Sequence, residues 1–137
     1  MTGIEKDKIT AVLGYAGMRT GIFLNEEFTK EVRVILSSDD GSVGIRGTVM
    51  DALTERELKP DIMYACGPLA MLKAVKEYAS ERFIPAYISL EEKMACGVGA
   101  CLGCVVKTKE RDDHSKVNNA RVCTEGPVFE AGEVELC

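Results

Sequence analysis

The chain has 137 residues, 46% of them hydrophobic and 28% charged, with a net charge of −5, which suits one ordinary globular domain or slightly more. An acidic chain with no basic block lacks an electrostatic footprint for nucleic acid, and no apolar run reaches the ~18 residues of a membrane span, so neither nucleic acid nor membrane is an expected partner. The N-terminal M-T-G-I-E-K-D-K lacks the apolar core of a secretion signal, so the expected location is cytoplasmic and the six cysteines read as thiols or metal ligands rather than disulfides.

Ile9 to Tyr15, I-T-A-V-L-G-Y, reads as a buried strand, largely apolar and ended by Gly14. Residues 16–20 form a loop and residues 22–28 a short helix. Val32 to Leu36 is a second strand, running into the polar, glycine-bearing loop S-S-D-D-G-S-V-G at 37–44. Thr48, with Asp51 three residues later, is a variant of the capping box and opens a helix whose Val49 and Leu53 share one face. Leu58-Lys59-Pro60 stops it. Asp61 to Ala65 is a third strand. Cys66-Gly67-Pro68 is a sharp strand-to-helix turn, with Pro68 suited to the first helical position. The helix that follows extends to about Arg82, with Met71, Leu72, Val75, Tyr78 and Ala79 on its apolar face and Lys73, Lys76 and Glu77 on its solvated face. Ala86 to Leu90 is a fourth strand.

Alternating strands and helices with short connections predict an α/β fold over residues 1–90, built on a mostly parallel sheet. Ligands in such sheets sit at the carboxyl ends of the strands. The loops at 37–44 and 66–68 both follow strands and are expected to face one crevice. Residues 91–137 change character, being rich in cysteine and glycine with no amphipathic helix. They read as a small second domain of short strands at Cys104–Thr108, at Val122–Cys123 and, after a Gly126-Pro127 turn, at Val128–Phe129, with an exposed loop at Glu110–Asn119. Such a segment has too little apolar mass to fold alone, and metal ligation is expected to contribute much of its stability.

The specific signal is M-A-C-G-V-G-A-C-L-G-C at 94–104, which sets Cys96, Cys101 and Cys104 in a C-x4-C-x2-C pattern, with Cys123 following in the next segment. This is the thiolate set of a plant-type 2Fe-2S cluster. Gly97, Gly99 and Gly103 let a tight loop wrap a cofactor with backbone amides turned toward sulfur. A structural zinc site also takes four cysteines, though more often as two CxxC-like pairs. Lone His114 reads as a solvated side chain and Cys137 as a free terminal thiol. The Cys66-Gly67-Pro68 turn reads either as a tight turn with a half-buried cysteine or as a backbone approach to a flat cofactor. The loop bearing Asp39, Asp40 and Gly41 reads either as a plain surface loop or as a contact to ribose hydroxyls or phosphate. A carboxylate there suits a ribose diol and favours NAD over NADP.

With these motifs in hand, the chain resembles the electron-transfer subunits of type 1B, NAD-linked dihydroorotate dehydrogenases, within the ferredoxin–NADP reductase superfamily. The resemblance is carried by Y-A-C-G-P-L-A-M-L at 64–72, S-L-E-E-K-M-A-C-G-V-G-A-C-L-G-C-V-V-K-T at 89–108, R-V-C-T-E-G-P-V-F at 121–129 and D-D-G-S-V-G-I-R-G at 39–47. It implies a relay in pyrimidine biosynthesis, in which electrons pass from an FMN in a partner dehydrogenase subunit, through a 2Fe-2S cluster, to FAD and then to NAD. It implies Cys96, Cys101, Cys104 and Cys123 as cluster ligands, with Cys66, Gly67 and Pro68 beside the nicotinamide and the flavin, and it requires no acid–base catalytic residue. A subunit of another NAD(P)H-linked flavin reductase, such as a hydrogenase or an NADPH–ferredoxin reductase, has the same build. A zinc-stabilised interaction module is the reading from another class.

The resemblance also implies parts this sequence does not show. Nothing before Ile9 resembles the FAD-binding barrel or the first strand of the nucleotide domain with its glycine-rich turn. The chain therefore reads as the C-terminal portion of such a subunit, either a fragment or a naturally short protein, with an incomplete FAD site and little flavin affinity alone. A sheet lacking its central strand exposes edges that tend to pair, so a homodimer or hetero-oligomer is expected.

Overall fold

A computed structural model describes residues 4–20, 25–111 and 116–136. The fold is mixed α/β, made of small sheets that include parallel strands. The chain divides into two compact units, residues 1–59 and residues 60–137.

In the first unit, β1 (Thr10–Tyr15) pairs in parallel with β2 (Arg33–Ser38), Thr10 opposite Arg33 and Tyr15 opposite Ser38. The short β3 (Ile45–Arg46) lies parallel on the other side of β2, giving the order β1-β2-β3. Helix α1 (Asn25–Glu31) precedes β2; the first three residues of the helix expected at 22–28 lie outside the described residues. Helix α2 (Val49–Glu55) begins at the capping box read from the sequence. The Thr48 hydroxyl accepts from the Asp51 amide at 3.3 Å, and the Asp51 carboxylate accepts from the Thr48 amide at 2.7 Å. Two of the four amides that a helix start leaves unpaired are thereby satisfied. Ile35, Ile45 and Ala52 form the core of this unit, with Val12 and Leu58 packed against them.

β2 runs two residues further than expected. Ser37 and Ser38 read as loop because they are polar, yet both are fully buried within the strand. The Ser38 hydroxyl donates to the Val43 carbonyl at 2.7 Å and accepts from the Val43 amide at 3.0 Å, so it closes the following loop from inside the strand.

In the second unit, β4 (Met63–Cys66) and β5 (Ala86–Ser89) pair in parallel on either side of α3 (Leu69–Arg82) in sequence. Leu72, Val75 and Ala79 of α3 are buried, and Met71 and Tyr78 are half-buried, in line with the predicted apolar face. Pro68 is the N-cap, with ψ 147°, rather than the first helical residue; its carbonyl accepts from the Leu72 amide at 3.1 Å. Lys76 departs from its expected solvated face. It is half-buried, and its ammonium donates to the Val134 carbonyl, because an extended lysine stem can cover apolar surface while its head finds an acceptor.

The segment after Leu90 does not stand apart. β8 (Val128–Glu130) adds antiparallel to β5, giving the order β4-β5-β8. β6 (Val105–Thr108) lies between β7 (Asn119–Arg121) and β9 (Val134–Glu135) in a second, antiparallel sheet. One core serves both sheets: Leu72, Ile88 and Leu90 are buried in the same cluster as Cys104, Val122, Phe129 and Val134. The apolar mass that residues 91–137 lack is supplied by α3 and β5. Val122 and Cys123, expected as a strand, lie in a turn just after β7. Val122 is nonetheless 1% exposed, so the apolar pair reflects a buried turn rather than strand pairing.

The single, mostly parallel sheet expected for residues 1–90 is instead two parallel pairs in separate three-stranded sheets. Among the described residues no strand lies alongside the outer edge of β1 or of β4, and without a strand on those edges neither pair extends into a wider sheet.

Candidate cysteine centre

The loop from Glu91 to Cys104 leaves β5 and returns at β6 without regular structure of its own. Backbone bonds fix both ends, from the Leu90 amide to the Pro127 carbonyl at 2.9 Å and from the Val122 amide to the Cys104 carbonyl at 3.0 Å. Between them the chain bends by left-handed residues, Gly97 at φ 68°, Gly99 at φ 79° and Leu102 at φ 57°. Gly99 has a second reason to be glycine, since a β-carbon there would meet the Thr124 side chain at 3.1 Å. Leu102 adopts the same conformation with a side chain, at a cost of about 1–2 kcal/mol.

The bends turn amides toward sulfur. The Cys101 amide donates to Cys96 Sγ at 3.4 Å, and the Gly103 amide donates to Cys101 Sγ at 3.4 Å. The amides of Val98 and Cys101, with the Cys101 thiol, push the Cys96 thiol down to about 6. Hydrogen bonds to sulfur favour the charged form, so this loop is built to carry thiolate. Cys123 moves the other way. Its thiol is raised, first by hydrogen bonding with Cys104 and then by burial, while the Gly99 amide pulls against both.

The Cys101 amide reaches Cys96 Sγ, and Cys104 bears on Cys123, which also senses Cys96. Among the described residues, no three cysteine, histidine or carboxylate groups close on one point as the ligands of a single ion would. Cys104 is buried, Cys96 and Cys123 are half-buried and Cys101 is exposed, and all four are free thiols. Four thiols with amides directed at sulfur suit a group that keeps its ligands as thiolates, because the amides offset the negative charge. His114 and Cys137 lie outside the described residues.

Cys66 ends β4 opposite Ser89 and is exposed rather than half-buried. A β-carbon on Gly67 would meet the Met71 methyl at 2.6 Å. On the uncovered face of the same sheet the Tyr64 and Tyr87 rings stack at 5.4 Å, a flat apolar surface the sequence reading did not single out. Alternation along β4 and β5 was the signal that carried it.

In the first unit, the loop at 39–44 is knit to itself. Asp40 Oδ1 accepts from the Ser42 amide at 2.9 Å and the Ser42 hydroxyl at 2.6 Å, and Ser42 Oγ accepts from the Met18 amide at 2.8 Å. These Ser42 bonds hold the Asp40 carboxyl below its ordinary value. Gly41 takes φ 73° to close the turn. Asp39 beside it is exposed, with its amide on the Tyr15 carbonyl. An open depression of about 370 Å³ beside β2 and β3 is lined in part by Arg33, Leu36, Ile45 and Arg56 and touches the 39–44 loop only at Gly44, away from Asp39, Asp40 and Gly41.

Residues 91–135 match the family described as the iron-sulfur cluster binding domain of dihydroorotate dehydrogenase B. Over 129 residues the chain is 43% identical to the dihydroorotate dehydrogenase B (NAD(+)) electron transfer subunit of Bacillus caldolyticus, covering 94% of this chain and 48% of that protein. The corresponding subunit of Streptococcus mutans serotype c is 41% identical over 126 residues, covering 92% and 47%. In fold, the chain is similar to a solved structure of an NADH-dependent reduced ferredoxin-NADP oxidoreductase studied for flavin-based electron bifurcation, with a TM-score of 0.78 and 32% identity over 93% of this chain and 44% of that one. The resemblance read from the motifs thus extends along nearly the whole chain, which spans about half the length of the curated relatives it matches. Among the described residues no helix is long and apolar enough to cross a membrane.

Proposed function

We propose that this chain is the iron–sulfur part, with a portion of the nucleotide-binding part, of an oxidoreductase subunit that passes electrons between flavins during dihydroorotate oxidation. The observation that carries the reading is the turning of backbone amides onto sulfur in the cysteine loop, from Cys101 to Cys96 and from Gly103 to Cys101, within the segment that matches the iron-sulfur domain family. These four residues would hold a 2Fe-2S cluster, residues 91–137 being the cluster-binding part and residues 1–90 the nucleotide part. Such a cluster, when bound, supplies one-electron transfer. The chain's own contribution is to offset the charge of the thiols with the amides of Val98, Gly99, Cys101 and Gly103, and to bury Cys104 against the core so that the loop keeps its shape.

For the rest of the relay, an FMN-containing dehydrogenase subunit would be the partner, FAD the second flavin and NAD the final acceptor. Cys66, Gly67 and Pro68 would approach the nicotinamide and flavin. In the acidic loop Asp39, Asp40 and Gly41 would face the ribose hydroxyls, Asp39 with an exposed carboxylate and Asp40 with its Oδ1 already engaged by Ser42.

The test is metal content and colour. The chain purified without oxygen, or reconstituted with iron and sulfide, is expected to hold about two irons per chain and to absorb visible light as thiolate-bound iron does. Cys123→Ser is expected to abolish both signals and Cys66→Ser to leave them. A colourless chain with one zinc would replace this reading by the zinc-stabilised module, and an intact cluster in Cys123→Ser would overturn the ligand set.

A further inference from the structure

Arg121 stands at the end of β7, opposite Val105 of β6, two residues before Cys123. Its side chain runs in two directions. Nε donates to Glu125 Oε2 at 2.9 Å, and Nη1 donates to the Gly99 carbonyl at 3.4 Å. The same Glu125 oxygen accepts from the Arg121 amide at 2.8 Å. The Arg121 carbonyl in turn accepts from the amides of Thr124 at 3.1 Å and Glu125 at 2.8 Å. The turn carrying Cys123 is therefore closed on both sides by one residue.

Gly99 is the other end of this arrangement. Its carbonyl accepts from the Arg121 guanidinium at 3.4 Å, and its missing β-carbon leaves room for the Thr124 side chain. An exposed ion pair four residues apart is ordinarily worth little, and these two side chains are 44% and 39% exposed. A surface pair, however, has no need to reach a carbonyl 22 residues away in the loop that bears the other thiols.

We infer that Arg121, held by Glu125, is a positioning residue that pins the cysteine loop to the Cys123 turn and sets the local charge beside the metal centre. The inference about charge rests on the cluster reading above; the inference about position does not. Bound to that carbonyl, Arg121 fixes the plane of the Gly99–Ala100 peptide, whose N–H is the Ala100 amide that bears on Cys96, and so acts on the thiols through the loop. Its cation also favours the more negative, reduced state of a cluster, whereas the Glu125 carboxylate opposes that state, since nearby charge is one determinant of cluster potential.

Two measurements on the full chain test this. In the metal-free protein, hydrogen exchange at the amides of residues 97–101 is expected to speed up several-fold in Arg121→Gln, with β6 and β7 keeping their wild-type rates. In the iron-loaded protein, the midpoint potential is expected to fall in Arg121→Gln and rise in Glu125→Gln, while Arg121→Lys, which keeps the charge, shifts less than Arg121→Gln. Each shift should stay below a tenfold change in the reduction equilibrium, about 59 mV for one electron, because both side chains are partly solvated. A merely structural pair would move neither potential, or both in one direction, and either result would remove the role in setting charge. Unchanged loop exchange in Arg121→Gln would remove the clamp. A wild-type chain that takes up no iron would sink the cluster reading and the charge role with it, while the exchange measurement would still decide the clamp.

Discussion

Two glycine-bearing loops follow strands in this molecule, and they use their backbone donors in opposite ways. The loop at 39–44 consumes its own polar groups: Ser42 caps Asp40, Met18 caps Ser42, and Ser38 closes on both the amide and the carbonyl of Val43. The loop at 94–104 aims amides at thiols instead, from Cys101 to Cys96 and from Gly103 to Cys101. Sulfur is a weak acceptor while protonated and a strong one as thiolate. The first loop is therefore complete as it stands, whereas the amide bonds of the second strengthen when its sulfurs are negative.

Metal removal is the strongest way to break this comparison. Stripping iron from the loaded chain with a chelator should accelerate hydrogen exchange across 94–104 and 121–125 by orders of magnitude and lower the unfolding midpoint of the second unit. Residues 39–44 should exchange at an unchanged rate. A uniform loss of protection over both loops would show that the cysteine loop does not depend on metal more than its counterpart does.

Glycine substitutions give the next largest effect and sharpen the contrast within one loop. Gly99→Ala forces a side chain into the left-handed region and against Thr124, 3.1 Å away, so it should cost more than about 1–2 kcal/mol. Gly97→Ala meets the backbone penalty alone, because nothing lies within 4 Å of the point its new β-carbon would occupy, and should cost only about 1 kcal/mol. Denaturant unfolding of the metal-free chain measures both, and equal costs would deny Gly99 its close packing over the Cys123 turn.

A smaller effect concerns charge. In the metal-free chain Cys96, pushed down to about 6 by the amides of Val98 and Cys101, should be the first thiol alkylated by iodoacetamide, with a rate that rises as pH increases through about 6. Cys123, raised by its contact with Cys104 and by burial, should react only at higher pH. Mass mapping over a pH series decides this, and simultaneous labelling of the two thiols would contradict the asymmetry.

What was legible in the sequence had local causes. The Thr48–Asp51 box sets its own helix start, apolar runs mark β1, β2 and β5, and the spacing of the loop cysteines is a property of one short stretch. What was not legible depends on partners distant in sequence. Ser37 and Ser38 look like loop because nothing nearby in sequence reveals that parallel pairing with Gly14 and Tyr15 buries them. Val122 looks like strand because burial in a turn and burial in a strand select the same residue type. β9 has only two residues and takes its identity from Lys107 and Thr108 opposite it. Two separate sheets in place of one, the Val134 carbonyl under Lys76 and the Gly99 carbonyl under Arg121 are likewise long-range choices. Of the candidate site, residue types and spacing were readable, whereas the amides that reach Cys96 and Cys101 and the Arg121 contact to Gly99 were not.

The smallest effect belongs to the self-contained loop and has a definite sign. Asp40 has a carboxyl depressed below its ordinary value of 3.8 by the Ser42 hydroxyl and amide. A depressed folded value means that ionised Asp40 favours the folded loop, that this contribution is fully present above pH 3.8, and that it is lost only as pH falls through the lower folded value. Between pH 7 and pH 5 the Ser42 amide should therefore show no titration by NMR, and below pH 3.8 it should shift together with the Met18 amide, because Ser42 Oγ links the two. Asp40→Asn should reproduce the low-pH spectrum at neutral pH while leaving the cysteine loop untouched. A Ser42 amide that titrates near pH 5 would mean that the carboxylate is not held by its own loop, and the contrast between a closed loop and an open one would rest on the sulfur side alone.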